Sequence, residues 1–381
     1  MTLFQKNLVI TISIDFILFN MTSKIPRIYV SAAMRSGSTL VSNILNAHKD
    51  ILILENFHFQ RFIYKGGEKL TKNLIKFRIK EMALRLGLRY NYNVNSDYVI
   101  KRLLKKNLTY KNMYDELIND QKKINNLNIV GEDSALNWRF IEKFNKFYKN
   151  AKVIHLIRDP RSIFASWKKA TYQKIDYWGC MFNCLDNMNY AEYYYKSLSP
   201  KKYMVVKFED ILDDPRLHAK RFCKFLNIKF TENMVRPELW ESIFKNKNAN
   251  LGWSSIEKKK MSGFYKNRIN SWKRYLNDEE IFVVQTLLKK QMLRWNYKII
   301  KTKKSTMYTF FKCLQKSEYL KKCLELYLEN NEGTDKLQND PTDFRTWGDG
   351  QKNKKKFMYS KHGKIYIKNL RKLKKHLKIK L

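Results

Sequence analysis

Five short runs of consecutive apolar, β-branched residues mark the first part of the chain: RIYVSA (Arg27–Ala32), ILIL (Ile51–Leu54), NIVG (Asn128–Gly131), KVIHLIR (Lys152–Arg158) and YMVVKF (Tyr203–Phe208). Runs of this length without polar alternation suit strands covered on both faces, as in a parallel sheet. Between them, Ser38–Ala47, Asn137–Asn150 and Pro160–Ala170 carry helical spacing. Strands alternating with helices predict an α/β doubly wound parallel sheet flanked by helices.

Two stretches interrupt this rhythm. Arg61–Asn126 is long, basic and helical in pattern, with no convincing strand, and reads as an insertion that covers a substrate cleft or forms a structural lobe. Asp278–Tyr297 reads as one amphipathic helix with acidic residues in its first turn. The composition changes near Lys301, and the last 31 residues hold 13 Lys or Arg and no Asp or Glu. So one-sided a run predicts a tail, whose interleaved Ile and Leu would let it lie on an anionic surface. The expected organisation is a short apolar segment (residues 1–23), a main domain (24–300) with its helical insertion (61–126), and a basic C-terminal extension (301–381).

The 381 residues carry a formal charge of +41, and 44% of them are hydrophobic, enough for a sizeable core. The charge admits a polyanionic partner, but abundant Lys, Asn, Ile and Tyr together equally suit a compositional bias, and no specific nucleic-acid motif accompanies it. Five cysteines without CxxC spacing favour reduced thiols and a cytoplasmic location over a disulfide framework or zinc site. NLVITISIDFILFN (Asn7–Asn20) is apolar but contains Asp15, and is shorter than the roughly 18 residues a membrane span needs. A membrane anchor is the alternative, and Met21 an alternative start.

The candidate chemistry begins after the first strand. In Arg35-Ser36-Gly37-Ser38-Thr39 a strand turns into a helix, whose N-terminus offers unpaired N–H groups and a partial positive charge to an anion. Gly37 lets the backbone approach closely, Ser36, Ser38 and Thr39 add hydroxyls, and Arg35 adds a planar charged fork. A nucleotide-hydrolysing loop would place Lys at Ser38 and Gly at Ala32, and neither is present. A second strand-to-helix junction follows in KVIHLIRDPRSIFASWKKA, where Pro160 is placed to start the helix. Arg158 leaves its strand at the carboxyl edge of the sheet, where open α/β folds bind ligands, with Ser166 about two turns further on. Alternatively, Arg158 pairs with Asp159.

Together these motifs resemble the PAPS-dependent sulfotransferase superfamily, nearest its carbohydrate-type and bacterial branches. The resemblance extends through MVVKFEDILDDPRLHAKRFCKFLNI and NRINSWKRYLNDEEI…MLRWNY, covering roughly Lys24 to Tyr297. It implies a P-loop-like fold and 3′-phosphoadenosine 5′-phosphosulfate (PAPS) as sulfuryl donor. The 5′-phosphosulfate would sit on Arg35, Ser36, Gly37, Ser38 and Thr39, and the 3′-phosphate on Arg158 and Ser166. No metal is required in that family. The acceptor would be a hydroxyl, on a carbohydrate or glycoconjugate. Glu55, in HKDILILE, corresponds to the family's base glutamate, with Arg35 neutralising the leaving phosphate; His58 is a second candidate base.

Lys49 stands where many relatives have Pro, and Gly131-Glu132-Asp133-Ser134-Ala135 where many have a Lys-containing turn. Another cation, such as Lys266 or Arg268, would then serve the reacting group. Trp138 and Trp167 are candidates to stack on adenine or to fill the core, and His48 is expected to cap or pack near the helix end. Two other readings use the same fold. A non-catalytic polyanion binder would suit the Glu132–Asp133 departure and the charge. A P-loop kinase is disfavoured by Ser38 and by the lack of an aspartate at the end of Lys152–Arg158.

Overall fold

A computed structural model describes residues 26–55, 57, 70–90, 92–170, 175–245 and 263–334, with the isolated position 368. The N-terminal apolar segment, His58 and almost all of the basic tail lie outside the described residues.

The apolar runs form β1 (Arg27–Ala32), β2 (Ile51–Glu55), β3 (Ile129–Ala135), β4 (Ala151–Ile157) and β5 (Tyr203–Lys207). They make one parallel sheet in the order β2-β3-β1-β4-β5. The chain winds from β1 toward β2 and β3, then crosses back to β4 and β5. The switch point, where such sheets open a crevice at the strands' carboxyl ends, therefore lies between β1 and β4. Both motifs leave the sheet there.

The helices are α1 (Ser38–Asn46), α2 (Lys72–Tyr90), α3 (Ser96–Leu103), α4 (Tyr110–Asn125), α5 (Ile141–Phe147), α6 (Pro160–Ala170), α7 (Cys180–Ser197), α8 (Phe208–Asp213), α9 (Pro215–Leu226), α10 (Trp240–Lys245), α11 (Trp272–Tyr275), α12 (Asp278–Leu287), α13 (Lys289–Arg294), α14 (Tyr308–Lys316) and α15 (Glu318–Asn330). Because successive strand residues face opposite sides, the sheet supports two cores. Ile28, Val30, Ile51, Ile53, Ile154 and Leu156 pack with Leu40, Val41 and Ile44 of α1 and with α8 and α9. Tyr29, Leu52, Leu54, Val130 and Val153 pack with Leu117 of α4, Phe144 of α5 and Phe164 of α6. Asn46 ties α1 to β2, accepting from Ile53 N (2.6 Å) and donating to Ile53 O (3.3 Å).

The insertion's described part is helical, α2 to α4, and packs on the β2–β3 side of the sheet. Three elements differ from the sequence pattern. The third strand continues past Gly131 to Ala135, because Glu132 and Asp133 find buried hydroxyl partners, Tyr114 Oη at 3.0 Å and Ser42 Oγ at 3.2 Å. The Asn137–Asn150 helix is shorter, a 3₁₀ turn (Trp138–Phe140) leading into α5. The Asp278–Tyr297 helix breaks into α12 and α13 at Leu288, which leaves helical geometry (φ −111°, ψ 18°); buried Leu288 and Met292 keep the apolar face continuous across the break.

The compositional change at Lys301 does not mark the end of packing. Phe310 of α14 lies against Trp178, centroids 5.8 Å apart. Beyond α15 the backbone is pinned by Gly333 N donating to Asp186 Oδ1 (2.8 Å) and by Arg139 Nη2 donating to Thr334 O (2.6 Å). Among the described residues, no helix is long and apolar enough to cross a membrane.

Candidate active site

The loop from β1 to α1 carries two left-handed residues, Arg35 (φ 69°) and Gly37 (φ 95°). Ser36 N is bonded to Ala33 O (3.1 Å) and Leu40 N to Gly37 O (2.9 Å). No side chain caps α1, whose N-cap is Gly37 itself. The first-turn amides are thus left without a side-chain partner at the positive end of the helix, and left-handed turns of this kind form anion-binding concavities. Gly37 is required here: a Cβ would fall on the Phe208 ring, and its φ is one that side-chain-bearing residues rarely adopt.

Across the switch point, Arg158 is buried at the end of β4. Its Nη1 donates to Arg35 O (3.0 Å), its Nη2 to Arg268 O (3.3 Å), and its guanidinium lies 4.2 Å from the Phe208 ring centroid. Asp159 does not pair with Arg158. It takes a fork from Arg161 instead, with Nη2 at 2.6 Å, and caps α6 by accepting from Arg161 N at 2.9 Å. Arg161 completes the bracket on Gln285 Oε1 (2.9 Å) and over the Trp272 ring (4.1 Å). Glu209 holds the turn from beneath, accepting from Asp159 N (2.9 Å) and from Tyr297 Oη (3.0 Å). Burial, reinforced by the like charges of Arg35 and Arg268, pushes Arg158 down to about 10 against the pull of Glu209 and Asp159, so it remains a cation at neutral pH.

Arg35 and Ser166, expected on different phosphates, are bonded to each other, Nε to Oγ at 3.1 Å. This contact bridges the two motifs across the crevice. Ser162, one turn before Ser166, is tied to Ile269 O (3.0 Å).

Glu55 ends β2 with its backbone N–H donating to Tyr92 Oη (2.8 Å), a residue of the insertion. Its carboxyl faces the start of α1, where the Thr39 hydroxyl acts to lower its proton affinity. Beside it, Asp133 accepts from Ser42 Oγ (3.2 Å), with Ser38 also acting to lower its proton affinity. The Ser38 and Thr39 hydroxyls thus stand beside carboxylates at the first turn of α1. Burial, and then the neighbouring Asp133 charge, push Glu55 up to about 8. Burial pushes Asp133 up to about 6.

Four buried polar atoms gathered here have no hydrogen-bond partner among the described residues: Ser36 Oγ, Arg158 Nε, Glu55 Oε1 and Asp133 Oδ1. Buried polar atoms are nearly always satisfied, so such a cluster fits a polar ligand. Trp138 is a core residue, fully buried, and Trp167 packs partly buried against the same core. His48 packs at the end of α1, its Nε2 2.9 Å from Lys229 O. Among the described residues no group of three or more His, Cys, Asp or Glu side chains is arranged to hold a metal ion. Phe208, Glu209 and Arg161 were not singled out by sequence reasoning. They lie inside KFEDIL and RDPR, and only their contacts reveal what they do.

The match to the sulfotransferase family model spans residues 26–232, more than half the chain and both motifs, and the chain belongs to that family. The chain is 26% identical over 131 residues to Sulfotransferase 2A1 of Macaca fascicularis, which is 31% of this chain and 43% of that relative. It thus spans less than half the length of the curated relative it matches. The fold is similar to that of a sulfotransferase domain from the curacin biosynthetic pathway (TM-score 0.52, 16% identity, 72% of this chain and 99% of that one). A sulfotransferase domain from a Synechococcus PCC 7002 olefin synthase aligns with a TM-score of 0.49 at 15% identity, over 72% of this chain and 96% of that one.

Proposed function

We propose that this protein transfers a sulfuryl group from PAPS to an acceptor hydroxyl, on a carbohydrate or glycoconjugate, with Glu55 as general base. The observation that carries the reading is the buried, partly unsatisfied cation at the switch point: Arg158, crowded by Arg35 and Arg268 and lacking a partner at Nε. Like charges held together in a buried crevice call for an anion between them. The α1 amides with Ser36, Gly37, Ser38 and Thr39 would take the 5′-phosphosulfate. Arg158 and Ser166 would take the 3′-phosphate. Arg35, reaching Ser166 from the loop, would neutralise the leaving phosphate.

When bound, PAPS supplies an electrophilic sulfuryl group and a stable nucleotide leaving group. Glu55 would receive the acceptor's proton at Oε1. Its raised proton affinity suits that task, because a base works best with a pKa near the working pH. Residues 24–300 would form the catalytic unit, with residues up to 334 packed upon it. The absence of a disulfide among the described residues suits a cytoplasmic setting.

The donor site is tested by thermal unfolding with 3′,5′-ADP, with 5′-ADP plus Mg²⁺ as control, at moderate salt. Saturation at about 100 times Kd should add about 2.7 kcal/mol of stability, and Arg158→Ala should abolish the shift. Transfer of labelled sulfate from PAPS across a panel of sugar and small-molecule hydroxyls then reads out the acceptor class. Equal response to both nucleotides would overturn the donor assignment. It would favour a non-catalytic polyanion binder, which the buried Glu132–Asp133 pair in place of a lysine turn also suits.

A further inference from the structure

Glu55 and Asp133 are register partners across β2 and β3. In-register residues of paired strands project side by side from the same face, here the face covered by α1. The first two turns of α1 serve both carboxyls: Ser42 Oγ donates to Asp133 (3.2 Å), and the Thr39 and Ser38 hydroxyls lower the proton affinity of Glu55 and Asp133 in turn. Each carboxyl keeps one buried oxygen unpartnered among the described residues, Oε1 of Glu55 and Oδ1 of Asp133. Among the described residues Tyr92 also meets this junction, its hydroxyl accepting from the Glu55 backbone amide. Arg35 Nε donates to Ser166 Oγ (3.1 Å). Among the described residues no salt bridge involves either carboxylate, and the Asp133 charge raises the proton affinity of Glu55.

We propose that Asp133 is a positioning residue for the transfer reaction: its charge, fixed beside Glu55 by strand register and by the α1 hydroxyls, makes Glu55 a stronger base than burial alone would. The inference rests on the reading of Glu55 as the base. In the step concerned, the acceptor oxygen forms a bond to sulfur while the sulfur–oxygen bond to the 5′-phosphate breaks. Sulfur keeps its oxidation state, and the hydroxyl proton passes to Glu55 Oε1. Two neighbouring carboxylates that cannot easily both ionise titrate in separate steps. The directions agree, for Glu55 stands at about 8 and Asp133 at about 6. At neutral pH Asp133 carries the charge, while Glu55 is ionised in a minor fraction of molecules but strongly basic when it is.

The test is a carboxyl titration of the donor-free protein by ¹³C NMR, with side-chain-labelled Glu and Asp. The Glu55 resonance is identified by its loss in Glu55→Gln. In Asp133→Asn the Glu55 titration should move down by about one pH unit. Asp133→Ser should move the Glu55 titration down likewise, which keeps the test open if Asp133→Asn folds poorly; Glu55→Gln, which mimics the protonated partner, should leave the Asp133 titration at about 6. In turnover, Asp133→Asn should move the acidic limb of the pH–kcat/KM profile down and lower its plateau severalfold, with KM for PAPS unchanged. A purely structural role would lower the rate without moving the limb. An unmoved Glu55 titration in both Asp133 variants overturns the proposal. Full activity in Glu55→Gln, with the titrations still coupled, would instead sink the base assignment alone.

Discussion

The Arg158 guanidinium lies 4.2 Å above the ring of Phe208, and the same ring closes the space behind Gly37. Phe208 is thus the common wall of the two strand-to-helix junctions, supporting the arginine by a cation–π contact and holding the loop at its backbone. Phe208→Leu should keep the fold but weaken 3′,5′-ADP binding about 3- to 10-fold, read by calorimetry. Gly37→Ala should do worse, because it combines the clash with a strained φ; a stability loss of about 1–3 kcal/mol with loss of nucleotide binding is expected.

The bracket around Asp159 gives a second prediction. Arg161 donates to Asp159 and Gln285 and covers Trp272, and both charges are buried. Arg161→Ala strands the aspartate and should cost about 3–5 kcal/mol in urea unfolding. Arg161→Lys, with one charge and no fork, should recover only part of that.

Glu55 gives a stability signature independent of activity. Its proton affinity is raised in the folded state, so it contributes favourably below the unfolded carboxyl pKa and loses that contribution as pH rises toward about 8. Glu55→Gln mimics the protonated form. The variant should match the wild type near pH 4 and become progressively more stable than it up to about pH 8, by a few kcal/mol in order of magnitude. Denaturation curves across that range measure the gap, and a gap of constant size would count against the buried carboxyl.

His155 works in the opposite sense. It is fully buried between Asn187 (2.9 Å) and the Tyr203 hydroxyl (2.6 Å), and burial pushes it down to about 4 despite the Asn187 bond. Its folded pKa is depressed, so its stabilising contribution is present above about 6.5 and is lost as pH falls toward 4. His155→Gln should flatten the acid-side loss of stability over this window, at some cost in stability at neutral pH.

Much of the local geometry of the candidate site was legible in the sequence. Gly37 in a strand-to-helix turn, Pro160 at the start of a helix and Arg158 at a strand end are local patterns, set by φ preference and by helix-terminus chemistry within a few residues. The same logic located β1, β2, β4 and β5 to within a residue or so at either end. It stopped β3 short, because Glu132 and Asp133 look like loop residues until Tyr114 and Ser42 are beside them. It also ended the packed domain at residue 300, because the anchors of residues 333 and 334 lie in Arg139 and Asp186, far back in the sequence.

The sequence by itself determined an alternating α/β chain, two strand-to-helix junctions in fixed order and a carboxylate at the end of the second strand, since each depends on neighbours along the chain. Only the tertiary structure decided which strands lie side by side. Parallel pairing joins segments distant in sequence, and the burial that raises Glu55 depends on what the completed sheet and α1 exclude. That is how Asp133, 91 residues from the Ser42 that holds it, came to stand beside Glu55.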